Sequence, residues 1–583
     1  MPTLGSHRSF HWRLIVLVVF FLVLLAAIAA RVFTLAIVEH RRYVLAADRQ
    51  HQLIEVLPSH RGAIYAVDKT GHRQPLAIQK TVYTLVAEPK SIADPAALAS
   101  NIAAILGADR TALLARISRE GDPYEILAKS IDGDAAARIR ELKAAGITLV
   151  EESRRNYPQN DFASALLGFV RYDADTESGE YGIERQYQSA LKGERGFFEG
   201  ERDATRGYWV GLGKRILDPP VDGDSVVLTI DPNIQFRVES ELKTLVEKWQ
   251  GESGLALVLD PKTGKILAAA SQPSFDPNGY SGVKDYGRFR LALFDSQFEL
   301  GSVMKPITMA SALDAGAVTP KTTYTDPGTI AFGRYTISNF DLAAHGVQTM
   351  SQVIEKSLNT GAVFAGQKLG KERYRAYLER FGFGGKTGVD FPNEVAGDLS
   401  NLAAGRDIEY ATASFGQGIA VTPVQLAMAV GAIANRGVLM RPYLVERIIS
   451  PSGGEEVRMP VEVGRAITPE TATAMTDMLV ATVDNSFENR AKIKGYRVAG
   501  KTGTAQLPLP DRRGYAEQYI HSFVGFAPAS DPRFLVFLQV VKPIGNRFAA
   551  NTMTPAFHGI AEFILNYYEI PPDAAPSILV SKP

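Results

Sequence analysis

The sequence predicts an α+β fold, with helices packed on a mainly antiparallel sheet, in a chain led by a single N-terminal transmembrane helix. Three observations predict it. Leu14 to Ala30 is an unbroken apolar run of 17 residues. The C-terminal half begins and ends with strand-like stretches around a long helical middle. Three short motifs rich in serine, lysine, asparagine and threonine, Ser302-Val303-Met304-Lys305, Ser357-Leu358-Asn359 and Lys501-Thr502-Gly503, follow one another in that half.

The apolar run, extended past Arg31 by Val32 to Val38, is long enough to cross a bilayer core. Ala27-Ile28-Ala29 resembles a signal-peptide cleavage site. The run exceeds a usual signal core and continues past that site, so residues 14–38 are expected to be an uncleaved anchor behind a tail of residues 1–13. Arg8 and Arg13 precede the span while Arg31, Arg41, Arg42 and Arg49 follow it, so charge alone would put the large C-terminal part inside.

Next comes a mixed, loop-rich region, residues 39 to about 220. Arg61 to Tyr65 starts like a strand, while Ala97 to Leu106 and Asp134 to Ala145 have helical spacing, with Gly146 as a stop. Arg155-Asn156-Tyr157-Pro158 and Tyr181 to Tyr187 read as surface turns and packing. The texture changes near Asp218-Pro219-Pro220. Ser225 to Ile230 is a strand, a helical stretch carries Ser240 and Lys243 on an exposed face, and Leu255 to Asp260 and Lys265 to Ser271 flank the turn Pro261-Lys262-Thr263-Gly264. Phe523 to Phe526 and Phe534 to Val541 are apolar strands, and Thr554 to Tyr568 is a closing helix.

With 583 residues, 46% of them hydrophobic, the chain can bury several cores, and two or three domains are expected. Its 63 basic and 63 acidic residues balance, which excludes nucleic-acid binding through a basic field. The chain has no cysteine, so thiol catalysis, disulfides and Cys-ligated metal are excluded. No His-Glu-x-x-His pair supports a zinc hydrolase. Neither a metal nor a cofactor is expected.

Each motif alone is weak. Ser-x-x-Lys also starts at Ser189, Ser240 and Ser281, and Lys-Thr-Gly recurs at Lys69, Lys262 and Lys386. Ser357-Leu358-Asn359 is the only Ser-x-Asn, and motif order removes the copies at Lys69 and Lys262. Lys386 lies in a Gly-rich stretch, whereas Lys501 precedes the closing strands, where an edge strand of small residues lets a substrate backbone pair beside it. Lys501 is therefore the expected third element.

The chemistry explains the residue types. A serine hydroxyl is a poor nucleophile until a neighbour takes its proton. Lys305 shares a helix face with Ser302 and can do so if neutral. For that, its usual pKa of about 10.4 must fall by roughly 3 units, worth about 4 kcal/mol. Burial and a second cation, Lys501, push it that way. Ser302 at a helix N-terminus also meets backbone donors that favour an oxyanion. Ser357 and Asn359, on a bend between helices, can relay a proton and hold a substrate amide. A rival motif overlaps the third: Gly495 to Thr502 fits G-x-x-x-x-G-K-[ST], but Gly503, Pro508 and Pro510 oppose the helix a phosphate loop needs.

The same three-motif set marks penicillin-binding proteins and serine β-lactamases. With Phe298-Glu299-Leu300-Gly301-Ser302-Val303-Met304-Lys305-Pro306, Phe415-Gly416-Gln417-Gly418-Ile419, Thr422-Pro423, Gly182-Ile183-Glu184 and Arg155-Asn156-Tyr157-Pro158, the chain resembles class B penicillin-binding proteins over nearly its whole length, most closely the cell-division type. The resemblance implies an elongated mixed pedestal (dimerisation-type) domain over residues 39–220, a serine penicillin-recognising transpeptidase domain over 221–570, and a C-terminal tail, 571–583. It implies that Ser302 is acylated by a stem peptide's penultimate D-alanine, and that an amine on a neighbouring stem then takes the acyl group. Ser302 and Thr504 would supply oxyanion-hole N–H groups, while Lys501 with Thr502 would hold the substrate carboxylate and Gly503 completes their motif.

The partners implied are peptidoglycan stem peptides and lipid-linked nascent glycan, β-lactams, a SEDS-family glycosyltransferase and other divisome proteins. The place implied is the cytoplasmic membrane, single-pass, with the catalytic domain on the extracytoplasmic side. The chain departs from the family at one point. After the intact Arg61-Gly62-Ala63-Ile64, Asp68-Lys69 stands two residues late where Asp-Arg is usual, which suggests a lengthened turn. An elongation-type transpeptidase, a D,D-carboxypeptidase and a β-lactam-sensing receptor are the alternatives. A class A β-lactamase is opposed by the placement of its Glu-x-x-Leu-Asn string, found only at Glu562 to Asn566, beyond Lys501.

Overall fold

The computed structural model describes residues 7–34, 52–57, 59–119, 122, 124–173, 176–201, 216–485, 490–509 and 514–574. Residues 35–38 of the expected anchor, the arginines at 41, 42 and 49, Pro510 and residues 575–583 lie outside them. Residues 1–59 with 193–222 form one compact unit and the remainder a second.

In the first unit, helix α1 (His7–Phe33) contains the apolar span, with Ile15–Phe33 of mean hydropathy 3.0 and no part of it buried. An apolar surface of that length, interrupted only by Arg31 near its end, matches a bilayer's thickness. The same unit holds a small antiparallel sheet of Gln52–Leu57, Gly196–Glu201 and Ile216–Asp218.

The second unit is built on two sheets. One has seven strands: 455–457, 445–449, 225–228, 64–67, 73–87 and 125–131 in that order, with 147–156 also on 73–87. The Ser225–Leu228 strand therefore does not join the catalytic sheet; it pairs in parallel with Ile64–Val67. The late Asp68-Lys69 falls in the hairpin turn after Val67. There Asp68 accepts from Thr70 and His72, while Lys69 Nζ donates to the Tyr567 carbonyl at 2.6 Å and meets Glu569 at 3.0 Å.

The stretches Arg155–Pro158 and Tyr181–Tyr187, read from sequence as surface turns, instead enclose a buried ion cluster. Glu184, wholly buried, binds Arg61 and Arg155 at 2.6 Å each and accepts from Tyr157 Oη at 3.2 Å. Burial alone would raise the Glu184 pKa, but Arg155 and Arg61 outweigh it and hold the carboxyl ionised. Gly179 and Gly62 admit this cluster, since a Cβ at Gly179 would fall on the Glu184 backbone and one at Gly62 on that of Asp224.

The second sheet carries the site. Helix α2 (Pro232–Lys248) precedes strands β1 (Ser253–Leu259) and β2 (Ile266–Gln272), which pair antiparallel as the Pro261–Gly264 turn predicts. The helical middle contributes α3 (Lys305–Asp314), α4 (Met350–Glu355) and α5 (Asn359–Leu369). Strands β3 (Ala499–Pro508), β4 (Tyr515–Ala527) and β5 (Phe534–Val541) and helix α6 (Ala549–Tyr567) close the chain. The antiparallel order is β2-β1-β5-β4-β3.

Alternation sorts the side chains onto two faces. Ala256, Val258, Phe534, Val536 and Leu538 pack under α2 and α6, while Leu255, Leu257, Leu259, Leu535 and Phe537 join the core of the helical middle. Both faces are covered, so these strands read as continuous apolar runs.

Two boundaries differ from the sequence expectation. The helix expected over 134–145 spans Gly133–Glu141, because the chain turns at Lys143 (φ 46°) before Gly146. The closing helix starts five residues early, at Ala549, and keeps Pro555 inside.

Candidate active site

Ser302 and Lys305 sit on either side of a change of helix type. Gly301–Met304 is a 3-10 turn and Lys305 opens α3, its N–H bonded to the Ser302 carbonyl. In a 3-10 turn residues three apart eclipse one another, so the tighter winding aligns the pair better than the α-helical turn expected from sequence. Gly301 supplies the left-handed entry (φ 64°), and its N–H donates to the Gly416 carbonyl at 3.1 Å. A side chain at Gly416 would fall on the Gly301 carbonyl, which accounts for glycine in Phe415-Gly416-Gln417-Gly418.

Ser357 terminates α4. Its own φ is 57°, its N–H bonds to the Ile354 carbonyl and that of Leu358 to Val353, a C-terminal cap where glycine is usual. A serine held in this region indicates strain retained at a site. Asn359 opens α5 and lines the cleft, but one amide N–H is already committed to the Ser338 carbonyl at 2.8 Å.

Lys501 lies in β3, opposite Val524 of β4. Gly503, two residues on, faces the serine turn. A Cβ there would collide with Ser522 Oγ and come within 2.8 Å of the Leu300 carbonyl, so only glycine lets the strand lie against the Ser302 turn.

The two lysines converge. Lys305 Nζ donates to the Ser357 carbonyl at 2.5 Å and reaches Ser357 Oγ at 3.1 Å, and Lys501 Nζ reaches the same Oγ at 2.9 Å. Each lysine is 1% exposed. Burial first, and the Lys501 cation second, hold the Lys305 pKa well below the usual lysine range; burial lowers that of Lys501 to about 7. Such a pair sheds one proton readily, and Lys305 is the one pushed harder toward the neutral form. In front of them opens a cleft of about 1230 Å³, lined by Ser302, Ser357, Asn359, Thr502, Thr504 and Phe548 among others. The lysines stand behind its wall, where both contact Ser357.

The competing copies fall elsewhere. Ser189, Ser240 and Ser281 are away from the cleft, as are Lys69, Lys262 and Lys386. Thr387 and Gly388 are tied to Glu394 in a loop. Lys501 lies within a strand with no helix starting at it, so the phosphate-loop pattern lacks the geometry it requires.

Two cleft contacts were missed in the sequence. Phe340 and Phe548, both lining the cleft, meet edge-to-face at 5.9 Å, and Glu299 accepts from Tyr515 Oη at 2.9 Å. Phe340, Phe548 and Tyr515 stand at no fixed spacing from the motifs; only the motif-adjacent Glu299 carried a local signal.

Residues 254–562 match the penicillin binding protein transpeptidase domain, and residues 56–228 the penicillin-binding protein dimerisation domain. Peptidoglycan D,D-transpeptidase FtsI of Escherichia coli K12 is 31% identical over 582 residues, 98% of this chain and 94% of the relative. Stage V sporulation protein D of Bacillus subtilis is 33% identical over 501 residues, 84% and 76%. Among solved structures, penicillin binding protein 3 from Mycobacterium tuberculosis in complex with aztreonam aligns with TM-score 0.67 and 26% identity, over 89% of this chain and 98% of that one. Penicillin binding protein 2X from Streptococcus thermophilus, at 22% identity and TM-score 0.75 over 88% and 80%, shares the fold.

Proposed function

The chain belongs to the penicillin-binding protein transpeptidase family, and from that premise we propose that it cross-links peptidoglycan stem peptides through an acyl-enzyme on Ser302. The observation that carries the reading is the convergence of two buried lysines on the Ser357 hydroxyl behind a cleft that exposes Ser302.

In the first half-reaction Lys305, neutral, takes the Ser302 hydroxyl proton as Oγ attacks the carbonyl carbon of the penultimate D-alanine. Backbone N–H groups of Ser302 and Thr504 receive the oxyanion. Collapse breaks the peptide C–N bond. The departing D-alanine amine gains its proton through Ser357, which both lysines can reload. Thr502 and the Lys501 cation hold the donor's terminal carboxylate, and Asn359 orients the donor's amide. In the second half an acceptor amine attacks the ester, its proton returns by the same route, and Ser302 regains its hydroxyl. A β-lactam acylates Ser302 identically, but its leaving nitrogen stays tethered, so the ester persists.

On this reading residues 39–220 serve as the pedestal and 221–570 as the transpeptidase domain. The apolar helix anchors the chain in the cytoplasmic membrane, with catalysis on the outer side where cross-linking occurs. Work at the septum beside a SEDS-family glycosyltransferase and other divisome proteins completes the proposal. The 31% identity to FtsI over nearly both full lengths supports the division role; depletion should yield filaments, whereas spheres would indicate elongation.

Fluorescent penicillin tests the chemistry. The full chain in detergent should form a stable adduct that Ser302→Ala abolishes and that Ser189→Ala, Ser240→Ala and Ser281→Ala keep. Labelling that survives Ser302→Ala refutes the assignment.

A further inference from the structure

His521 is buried completely in the middle of β4, opposite Thr504 of the third motif's strand, and so on the same face of the sheet. It makes two hydrogen bonds, both to the turn where α6 begins. Nε2 lies 3.1 Å from the Arg547 carbonyl and Nδ1 lies 2.9 Å from Thr552 Oγ1. A carbonyl only accepts, so Nε2 carries the proton and Nδ1 accepts from the threonine hydroxyl. Beside it, Thr504 Oγ1 accepts from the Ala549 N–H at 3.2 Å. Helix α6 has no side-chain cap of its own at Phe548, so these sheet residues fix the start of the helix in place of a cap. Burial keeps the imidazole neutral, with a pKa lowered to about 4, and so keeps this tautomer intact at neutral pH.

The turn so held forms a wall of the cleft. Arg547, Phe548, Ala549 and Ala550 line it, and the Phe548 ring packs edge-to-face on Phe340, which also lines it. We propose that His521 is a positioning residue for acylation: its two hydrogen bonds fix residues 547–552 so that Phe548 closes the cleft over a donor bound at Ser302. The inference rests on the transpeptidase reading above and extends it from the reacting groups to the wall that orients the donor. A histidine bonded only to neighbours in the core would support stability alone; here both bonds end on cleft-forming backbone or on its first helical turn.

A double-mutant cycle on the full chain in detergent tests it, reading the second-order rate of acylation by a fluorescent penicillin. Wild type must acylate first. Failure of wild type removes the transpeptidase reading itself, whereas the positioning role stands or falls on the variants alone. His521→Ala should slow acylation roughly tenfold, the cost of a lost hydrogen bond, and His521→Gln, which can still donate to the Arg547 carbonyl, should recover most of the rate. In a Phe548→Ala background, His521→Ala should change the rate by less than about twofold, because the residue it acts through is gone. An undiminished tenfold loss in that background, or no recovery in His521→Gln, overturns the proposal. If His521→Ala does not fold, Thr552→Val removes the hydroxyl bond from the other side and enters the same cycle with the same expectations.

Discussion

Replacing Lys501 by methionine removes a cation while nearly keeping its length, and the geometry sets the size of the effect. The legs of 3.1 and 2.9 Å from the two Nζ atoms to Ser357 Oγ bound their separation at about 6 Å. At that distance, with an effective dielectric constant of about 20, two unit charges repel by roughly 3 kcal/mol. That energy corresponds to about 2 pKa units on Lys305. In wild type the pH profile of second-order acylation by penicillin should be bell-shaped. Its acid limb, set by Lys305, lies well below the usual lysine range, and its alkaline limb lies near 7, where Lys501 gives up its charge. Lys501→Met should abolish the alkaline limb and move the acid limb up by about 2 units. The maximum should fall roughly tenfold to a hundredfold through the lost charge-assisted contact to the substrate carboxylate. Stopped-flow acylation between about pH 5 and 9.5 reads both limbs. An acid limb that stays where wild type has it, or an alkaline limb that persists, refutes the assignment of Lys305 as base and Lys501 as its depressing cation.

The same lysine couples stability to pH. With its folded pKa near 7 and a free value of 10.5, the unfolded chain binds more protons across that window, so stability should rise with pH from 7 to 10.5. The full span is worth roughly 5 kcal/mol; denaturation midpoints should climb in wild type and climb less steeply in Lys501→Met, where buried Lys305 still contributes a rise of the same sign. Lys305→Arg keeps charge but cannot deprotonate, and should slow acylation by about 10²–10⁴-fold in the same assay. Gly503→Ala drives a methyl onto Ser522 Oγ and the Leu300 carbonyl; about 1–3 kcal/mol of stability should go, with acylation falling at least tenfold, by thermal melting and labelling. Glu184→Gln leaves Arg61 and Arg155 buried without their counter-charge and should cost about 3–5 kcal/mol, seen as a lowered melting temperature.

What could be read in advance was what is local. Ser302 and Lys305 are three residues apart, so spacing alone joins them, and Lys501 was separable from its copies because the strands after it are strongly apolar. Ser357 was legible as a bend, but not as a left-handed cap, since serine carries no such signal where glycine would. The Glu184 cluster was misread because its partners, Arg61 and Arg155, come from segments far apart in sequence. Strand β4 was expected only from Phe523 to Phe526; its first residues are polar because they run along an open cleft, and the apolar pattern starts only where both faces are covered. His521 and Phe548 were invisible for the same reason: their roles arise from a β-strand meeting the start of a later helix.

The order β2-β1-β5-β4-β3 has a consequence for how the molecule comes into being. The first strand of the catalytic sheet pairs with its last, Ser253 against Val541. During synthesis the β1–β2 hairpin waits, one edge unpaired, while the whole helical middle is made. Long loops of this kind close slowly and leave strand edges exposed to other chains. Lys501 itself reaches Ser357 only after β4 and β5 have joined β3 to the waiting hairpin. A nascent chain stopped short of Phe534 thus contains every motif residue and no site. Reactivity appears only once the chain is finished, and the interval before that is when holding chaperones have most to protect.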